Sequence, residues 1–189
     1  MFSEQMRYEY PLTADSIVLD VGLHKGTFAA EISRRYGCVV HGFEPVDSFR
    51  EEALAKVSSY PKVHIHSFAL GSVSVDAATI SVHGDTSGFY GAPGEQTQAC
   101  RIVSLVEFLR ERNITRVDLL KLNVEGSEYD LVEHILRERL ATRIVDLQVQ
   151  WHPVVKDFQQ RYDDLARRLR ETHALTYREP WVWESWRLK

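Results

Sequence analysis

Residues 16–45 constrain the fold of this chain most strongly, because their pattern predicts a strand, a glycine turn, a helix and a second strand. The apolar run 16–21 is bounded by turn signals and is typical of a strand buried on both faces. Gly22 and Gly26 bracket a tight turn, apolar residues at helical spacing follow it, and a second apolar run covers residues 38–43. A parallel strand–helix–strand unit is the mononucleotide-binding half of a doubly wound α/β fold, so we expect a ligand at the carboxyl ends of its strands.

The glycine turn favours a cofactor with a cationic amine over a dinucleotide. It runs Asp20-Val-Gly22-Leu-His-Lys-Gly26, whereas a dinucleotide fingerprint has the pattern G-x-G-x-x-G and binds pyrophosphate at the helix N-terminus. An acidic side chain directly before the turn repels pyrophosphate and attracts an amine such as that of S-adenosylmethionine. Glu44 ends the second predicted strand, where a carboxylate accepts hydrogen bonds from ribose hydroxyls. A dinucleotide, and with it a nicotinamide-dependent oxidoreductase, remains the alternative.

The composition predicts one globular domain over residues 1–189, with a lead-in at 1–15, a core at 16–153 and a C-terminal helix and strand pair at 154–189. A net charge of −4 does not favour a nucleic-acid partner. The N-terminus has no apolar core of a signal peptide, and no apolar run is long enough to span a membrane, so we expect no membrane partner. The two cysteines, Cys38 and Cys100, lack the spacing of metal ligands, so we predict no metal site. Because the chain has only these two cysteines, we expect it in a reducing cytoplasm.

Strand and helix patterns continue to alternate along the rest of the chain. We predict strands over 63–68, 77–82, 117–124 and 145–151, and helices that begin near 47, 104, 128 and 158. Residues 84–98 are rich in glycine and predict the longest loop, with a role as a lid or substrate loop. The chain ends in a predicted antiparallel strand pair, because the connection at Glu179-Pro180 is too short for a crossover.

Polar side chains recur on one face of two consecutive predicted strands. Lys121, Asn123 and Glu125 share a face of the first, and the corresponding face of the next carries Asp146, Gln148, Gln150 and His152. Buried polar groups need partners or a ligand, so we place the active cleft there. For Lys121 we expect an ion pair with Glu125 or Glu128.

Five motifs in order resemble the FkbM-type methyltransferases over residues 16–153. They are DVGLHKG at 20–26, FEP at 43–45, FALG at 68–71, LLKLNVEGSEYDLV at 119–132 and QVQWHP at 148–153. The resemblance implies a Rossmann-like class I methyltransferase fold, a mostly parallel seven-stranded sheet whose end is the C-terminal antiparallel pair. It also implies S-adenosylmethionine as cofactor and O-methylation of a sugar, glycan or other small-molecule hydroxyl.

The resemblance also assigns site residues. The implied cofactor-binding residues are Asp20, Gly22, His24, Gly26, Glu44, Ala69 and Leu70. Glu125 and His152 are the candidate general bases, because each follows the polar face at the end of its strand, and imidazole titrates near neutrality. Asn123 is a candidate to orient the acceptor hydroxyl, but an amide cannot act as a base.

Two departures from the family pattern leave an alternative open. Asn123 stands where an aspartate is usual, and Leu23-His24 stands where Ala-Asn is common. Asn123 and the short chain are compatible with a non-catalytic binding module of the same fold. Trp181, Trp183 and Trp186 predict packing within the C-terminal sheet, and an aromatic edge there is compatible with a homo-oligomer.

Overall fold

The computed structural model describes residues 2–83, 86–89 and 96–189. Its strands are β1 Ile17–Val21, β2 Val39–Phe43, β3 Val63–His66, β4 Ala69–Gly71, β5 Val75–His83, β6 Thr86–Gly88, β7 Gln96–Ser104, β8 Val117–Leu122, β9 Ile144–Val149, β10 His173–Glu179 and β11 Trp183–Leu188. Its α-helices are α1 Thr27–Tyr36, α2 Asp47–Val57, α3 Leu105–Glu111, α4 Glu128–Arg137 and α5 Phe158–Thr172. Short 3₁₀ turns cover Glu4–Tyr8 and Ala141–Arg143.

The main sheet has seven strands in the order β10-β11-β9-β8-β1-β2-β3. The five neighbouring strands β3, β2, β1, β8 and β9 pair in parallel, whereas β11 runs antiparallel to both β9 and β10. The predicted mostly parallel, seven-stranded Rossmann-like sheet with a C-terminal antiparallel pair is therefore confirmed. Its central strands are buried on both faces, as their continuous apolar runs require.

A second sheet, in the order β4-β7-β5-β6, lies between β3 and α3 in the sequence. The prediction of a continuous loop over 84–98 is wrong where β6 pairs with β5 and where β7 begins at Gln96. Backbone pairing in the hairpin outweighs the low strand propensity of the glycines and serines there. Residues 84–85 and 90–95 lie outside the described residues, and the lid role remains a prediction.

Three side chains on the polar face of β8 and β9 pair within the protein, so the prediction that this face forms the cleft is wrong for them. Lys121 pairs with Asp20 at 2.8 Å, not with Glu125 or Glu128, because the two residues are register neighbours on β8 and β1. Asp146 pairs with Arg187 of β11 at 2.8 Å. Gln148 donates to the hydroxyl of Tyr10 at 2.7 Å, and the N-terminal segment thus closes this face.

Trp183 and Trp186 are buried in the sheet, as predicted. The prediction is wrong for Trp181, which lies in the turn between β10 and β11 and packs against Phe158 and Tyr162 of α5. Arg7 lies over the ring of Trp183 at 3.9 Å from its centroid and links the lead-in to β11. Within the described residues, no helix combines the length and the apolar character needed to cross a membrane. The division into one domain over 1–189 stays a prediction.

We expect Lys121→Met to lower the free energy of unfolding by about 3–5 kcal/mol, because it leaves the carboxylate of Asp20 buried without its cation. Denaturant unfolding measures the loss. The matched control is Lys56→Met, which removes an exposed lysine and should change stability by no more than about 0.5 kcal/mol. Equal losses in the two variants would contradict a structural role for the buried pair.

Candidate functional site

A cavity of about 380 Å³ lies over the carboxyl ends of β1, β2 and β8. The main sheet supplies its floor through the residues that directly follow these strands, and the second sheet contributes another wall. Residues on that wall include Gly71, Ile80, Ser87, Gly88, Phe89 and Ile102. A volume of this size lies within the range of about 300–1,000 Å³ that is typical of small-molecule sites.

The glycine turn after β1 approaches the loop after β8 so closely that it excludes a side chain. Gly22 has φ of +79°, and a Cβ placed on it would lie 1.9 Å from the carbonyl oxygen of Asn123. Lys121 Nζ donates to the carbonyl oxygen of Gly22 at 2.7 Å and so holds the turn in place. Glycine at position 22 is therefore a steric requirement, and the turn presents bare backbone to the cavity.

Glu44 lies buried at the end of β2, and backbone groups fix its carboxylate. Its Oε2 accepts from the amide of His24 at 2.8 Å, and its Oε1 accepts from the amide of Val46 at 2.9 Å. Burial raises the pKa of Glu44 above its ordinary value, although both amides and the charge of Lys121 act in the opposite direction. Each oxygen keeps a further lone pair for a hydroxyl donor from the cavity.

The loop after β8 brings an amide and a carboxylate to the cavity. Asn123 Oδ1 is buried and has no hydrogen-bond partner among the described residues. Glu125 adopts φ of +49° and Gly126 φ of +108°, so the chain turns sharply before α4. The Glu125 side chain is 35% exposed and lines the cavity. A Cβ on Gly88 of β6 would lie 3.0 Å from the Cβ of Glu125, so the second sheet packs directly on this loop.

His152 lies behind Glu125, and its imidazole contacts two carboxylates, those of Glu125 and Glu128. Its Nε2 is 3.4 Å from Oε1 of Glu125, and its Nδ1 is 2.6 Å from Oε1 of the buried Glu128. Burial by itself lowers the pKa of His152, but the hydrogen bond and charge of Glu128, with the charge of Glu125, outweigh it and raise the pKa. The imidazole of His152 therefore lies between two carboxylates, one of which lines the cavity.

The structure brings most of the predicted site residues together. Those that line the cavity are Gly22, His24, Glu44, Ala69, Leu70, Asn123 and Glu125. Three others are not among its lining residues: Asp20 is buried beneath the turn, Gly26 is the N-cap of α1, and His152 lies behind Glu125. Asp20 reaches the turn through Lys121, which contacts both the Asp20 carboxylate and the Gly22 carbonyl.

The glycine-rich stretch 84–98, for which the sequence predicts a lid or substrate loop, contributes Ser87, Gly88 and Phe89 to the cavity wall. Sequence reasoning missed the contributions of Ile80 and Ile102, and it missed two polar residues, Ser127 before α4 and Asp130 within it. Their positions shortly after Glu125 were a usable signal, because the segment that follows a parallel strand continues along the cleft. The sequence did not distinguish Gly88 or Phe89 from the rest of that stretch, because a glycine-rich hairpin carries no periodic signal. Within the described residues, no group of three or more His, Cys, Asp or Glu side chains is arranged to hold a metal ion.

Comparison with known protein families gives a match over most of the chain. The family model of the methyltransferase FkbM domain matches residues 20–178. Comparison with curated proteins found no match.

Several solved structures share the fold. The fibrillarin/Nop5p complex matches with a TM-score of 0.56 and 10% identity over 94% of this chain and 75% of that chain. A rRNA methylase from Streptococcus thermophilus matches with a TM-score of 0.54 and 10% identity, over 94% of this chain and 89% of that chain. M. capricolum TrmK, solved in complex with the cofactor product S-adenosyl-homocysteine, matches with a TM-score of 0.55 and 9% identity, over 100% of this chain and 70% of that chain. At these identities the likeness shows the fold alone.

We expect Gly22→Ala to destabilise the protein more than Gly37→Ala. Both glycines have positive φ, but a Cβ on Gly37 would meet nothing within 4 Å, whereas one on Gly22 would overlap the Asn123 carbonyl. Backbone strain alone costs about 1–2 kcal/mol, and the overlap adds about 1–3 kcal/mol for Gly22→Ala. Denaturant unfolding of the two variants checks this difference; an equal loss would show that the close approach is not maintained in solution.

Proposed function

The chain belongs to the FkbM methyltransferase family, and we propose that it methylates a hydroxyl oxygen of a sugar, glycan or other small molecule. Its cofactor is S-adenosylmethionine, as the family and the class I methyltransferase fold establish. The observation that carries the proposal is the convergence of Gly22, Glu44 and the Asn123–Glu125 loop on one cavity.

The residues of the cavity fit this cofactor. Bare backbone at Gly22 and the buried, unpartnered Oδ1 of Asn123 suit its polar amino-acid end. The remaining lone pairs of the Glu44 carboxylate suit ribose hydroxyls, and the apolar edge at Ala69 and Leu70 suits the adenine. Asp20 acts through Lys121, which fixes the turn. When bound, the cofactor supplies an electrophilic methyl group on a sulfonium.

The acceptor side of the cavity supports a hydroxyl compound without phosphate. Phe89 and Ile80 provide an apolar surface on one wall, and the carboxylates of Glu125 and Asp130 lie on another. Carboxylates accept hydrogen bonds from hydroxyls and repel phosphates. Asp130 also pairs with Arg161 at 2.6 Å, so its charge is partly balanced.

Methyl transfer to an alcohol is helped by a base and by alignment of the acceptor. Glu125 is the carboxylate that lines the cavity, and we assign it the first contact with the acceptor's proton. His152, with Nε2 at 3.4 Å from Glu125, is the base behind it. The Asn123 amide orients the acceptor hydroxyl or the cofactor and moves no proton.

RNA is the second acceptor to test, because a solved structure of the same fold is a rRNA methylase. The experiment incubates the protein with methyl-labelled S-adenosylmethionine and, in parallel, neutral sugars, oligosaccharides and total RNA. Label in a neutral hydroxyl compound, lost in Glu125→Gln, is the expected result. Label in RNA alone would overturn the small-molecule proposal, and cofactor binding without any transfer would favour the non-catalytic module.

We expect Glu44→Gln to weaken S-adenosylmethionine binding by about 10- to 100-fold, the effect of losing a hydrogen bond to a charged group. Titration calorimetry measures the dissociation constant, and thermal unfolding confirms that the variant is folded. The matched control is Asp47→Asn, an exposed carboxylate three residues away that pairs with Arg50. Unchanged affinity in Glu44→Gln would remove Glu44 from the ribose site.

A further inference from the structure

We propose that Glu128 is a positioning residue that fixes the tautomer of His152 and the orientation of Glu125, so that the three groups form one path for the acceptor's proton. The inference rests on the proposed function in one respect, namely that the acceptor gives up a proton. It adds a residue to which the sequence pattern assigned no part in catalysis.

Glu128 is the first residue of α4 and is fully buried. Its Oε1 accepts from the amide of Val124 at 2.9 Å and lies 2.6 Å from Nδ1 of His152. Its Oε2 accepts from the amide of Gly126 at 2.8 Å. Because an ionised carboxylate only accepts hydrogen bonds, Nδ1 of His152 must carry a hydrogen.

This hydrogen decides what His152 can do. With Nδ1 protonated, a neutral imidazole has its lone pair on Nε2, the nitrogen that faces Glu125 at 3.4 Å. The hydroxyl of Tyr129 donates to the backbone carbonyl of His152 at 3.1 Å and anchors the residue from a second direction. A buried carboxylate that orients an imidazole in this way is a recurring device for general bases.

The same carboxylate also orients Glu125. It binds the amides of Val124 and Gly126, on either side of Glu125, whose φ of +49° is rare for a residue with a side chain. Such a conformation persists only where its surroundings hold it. Glu128 therefore fixes both ends of the path, the carboxylate at the cavity and the imidazole behind it.

The proton balance is simple. As the acceptor oxygen bonds to the methyl carbon, the bond from that carbon to sulfur breaks and its electron pair stays on sulfur. The acceptor's proton passes to Glu125 and then to Nε2 of His152, and the imidazolium charge faces Glu128. Release of that proton to water restores the neutral imidazole, so no further reactant is needed.

The groups that face His152 predict its pH behaviour. They are Glu128 and Tyr129 of α4, Glu125 of the preceding loop and the backbone of Gln150. Burial alone lowers the pKa of His152, but the two carboxylates together raise it. Below this pKa Nε2 is protonated and cannot accept, so the rate should rise with pH through it.

The first experiment measures the ring nitrogens of His152 by ¹⁵N NMR in the unmodified protein. Above the pKa we expect the hydrogen on Nδ1; a hydrogen on Nε2 would overturn the proposal. In Glu128→Gln the pKa of His152 should fall. The matched control, Asp146→Asn, alters a buried carboxylate that pairs with Arg187 and should leave the pKa unchanged.

The second experiment follows the pH dependence of methyl transfer in Glu128→Gln. The turnover number should fall by about 100-fold, the lower end of what a general base contributes, and the acidic limb should move to lower pH. A purely structural role, such as a carboxylate at a helix N-terminus, would lower stability and leave the limb in place. Because the NMR measurement needs no acceptor, the expected tautomer without transfer to any hydroxyl would overturn the proposed function alone.

Discussion

The buried pair between Asp20 and Lys121 is the interaction on which the site depends. The two charges lie 2.8 Å apart on neighbouring strands in the middle of the sheet, and Lys121 also holds the carbonyl of Gly22. Burial raises the pKa of Asp20 and the charge of Lys121 opposes that rise, so the pair carries a large desolvation cost. What the pair provides is a defined position: β1, β8 and the glycine turn share one anchor directly beneath the cavity.

The remainder of the site is arranged in two halves around this anchor. One half consists of Gly22 and Glu44, held by backbone hydrogen bonds and steric contact. The other half consists of the loop at 123–126 and the second sheet that packs on it at Gly88. In the proposed assignment the first half holds the cofactor, whereas the second, which combines apolar side chains with carboxylates, faces the acceptor. Differences in acceptor between related chains would therefore be expected in the second half.

The sequence predicts the main sheet well, because strand and helix periodicities follow directly from burial on two faces or one. It places Glu44, Asn123 and Glu125 correctly at the strand ends, since parallel strands share one functional edge. It fails for Lys121, whose partner is a neighbour across the sheet and distant in the chain. It also fails for β6, because a short strand in a glycine-rich hairpin is specified by pairing with β5 and carries no periodic signal.

The approach of Gly22 to the Asn123 carbonyl leaves no room for even one methyl group between the two loops. Movement of the glycine turn would therefore displace the 123–126 loop, and in the proposed assignment these two segments hold the cofactor and the acceptor. Coupled movement of the two loops would keep the spacing between methyl donor and acceptor constant. For a displacement reaction, in which an error of about 1 Å can cost about a hundredfold in rate, such coupling would preserve the alignment of the reacting atoms.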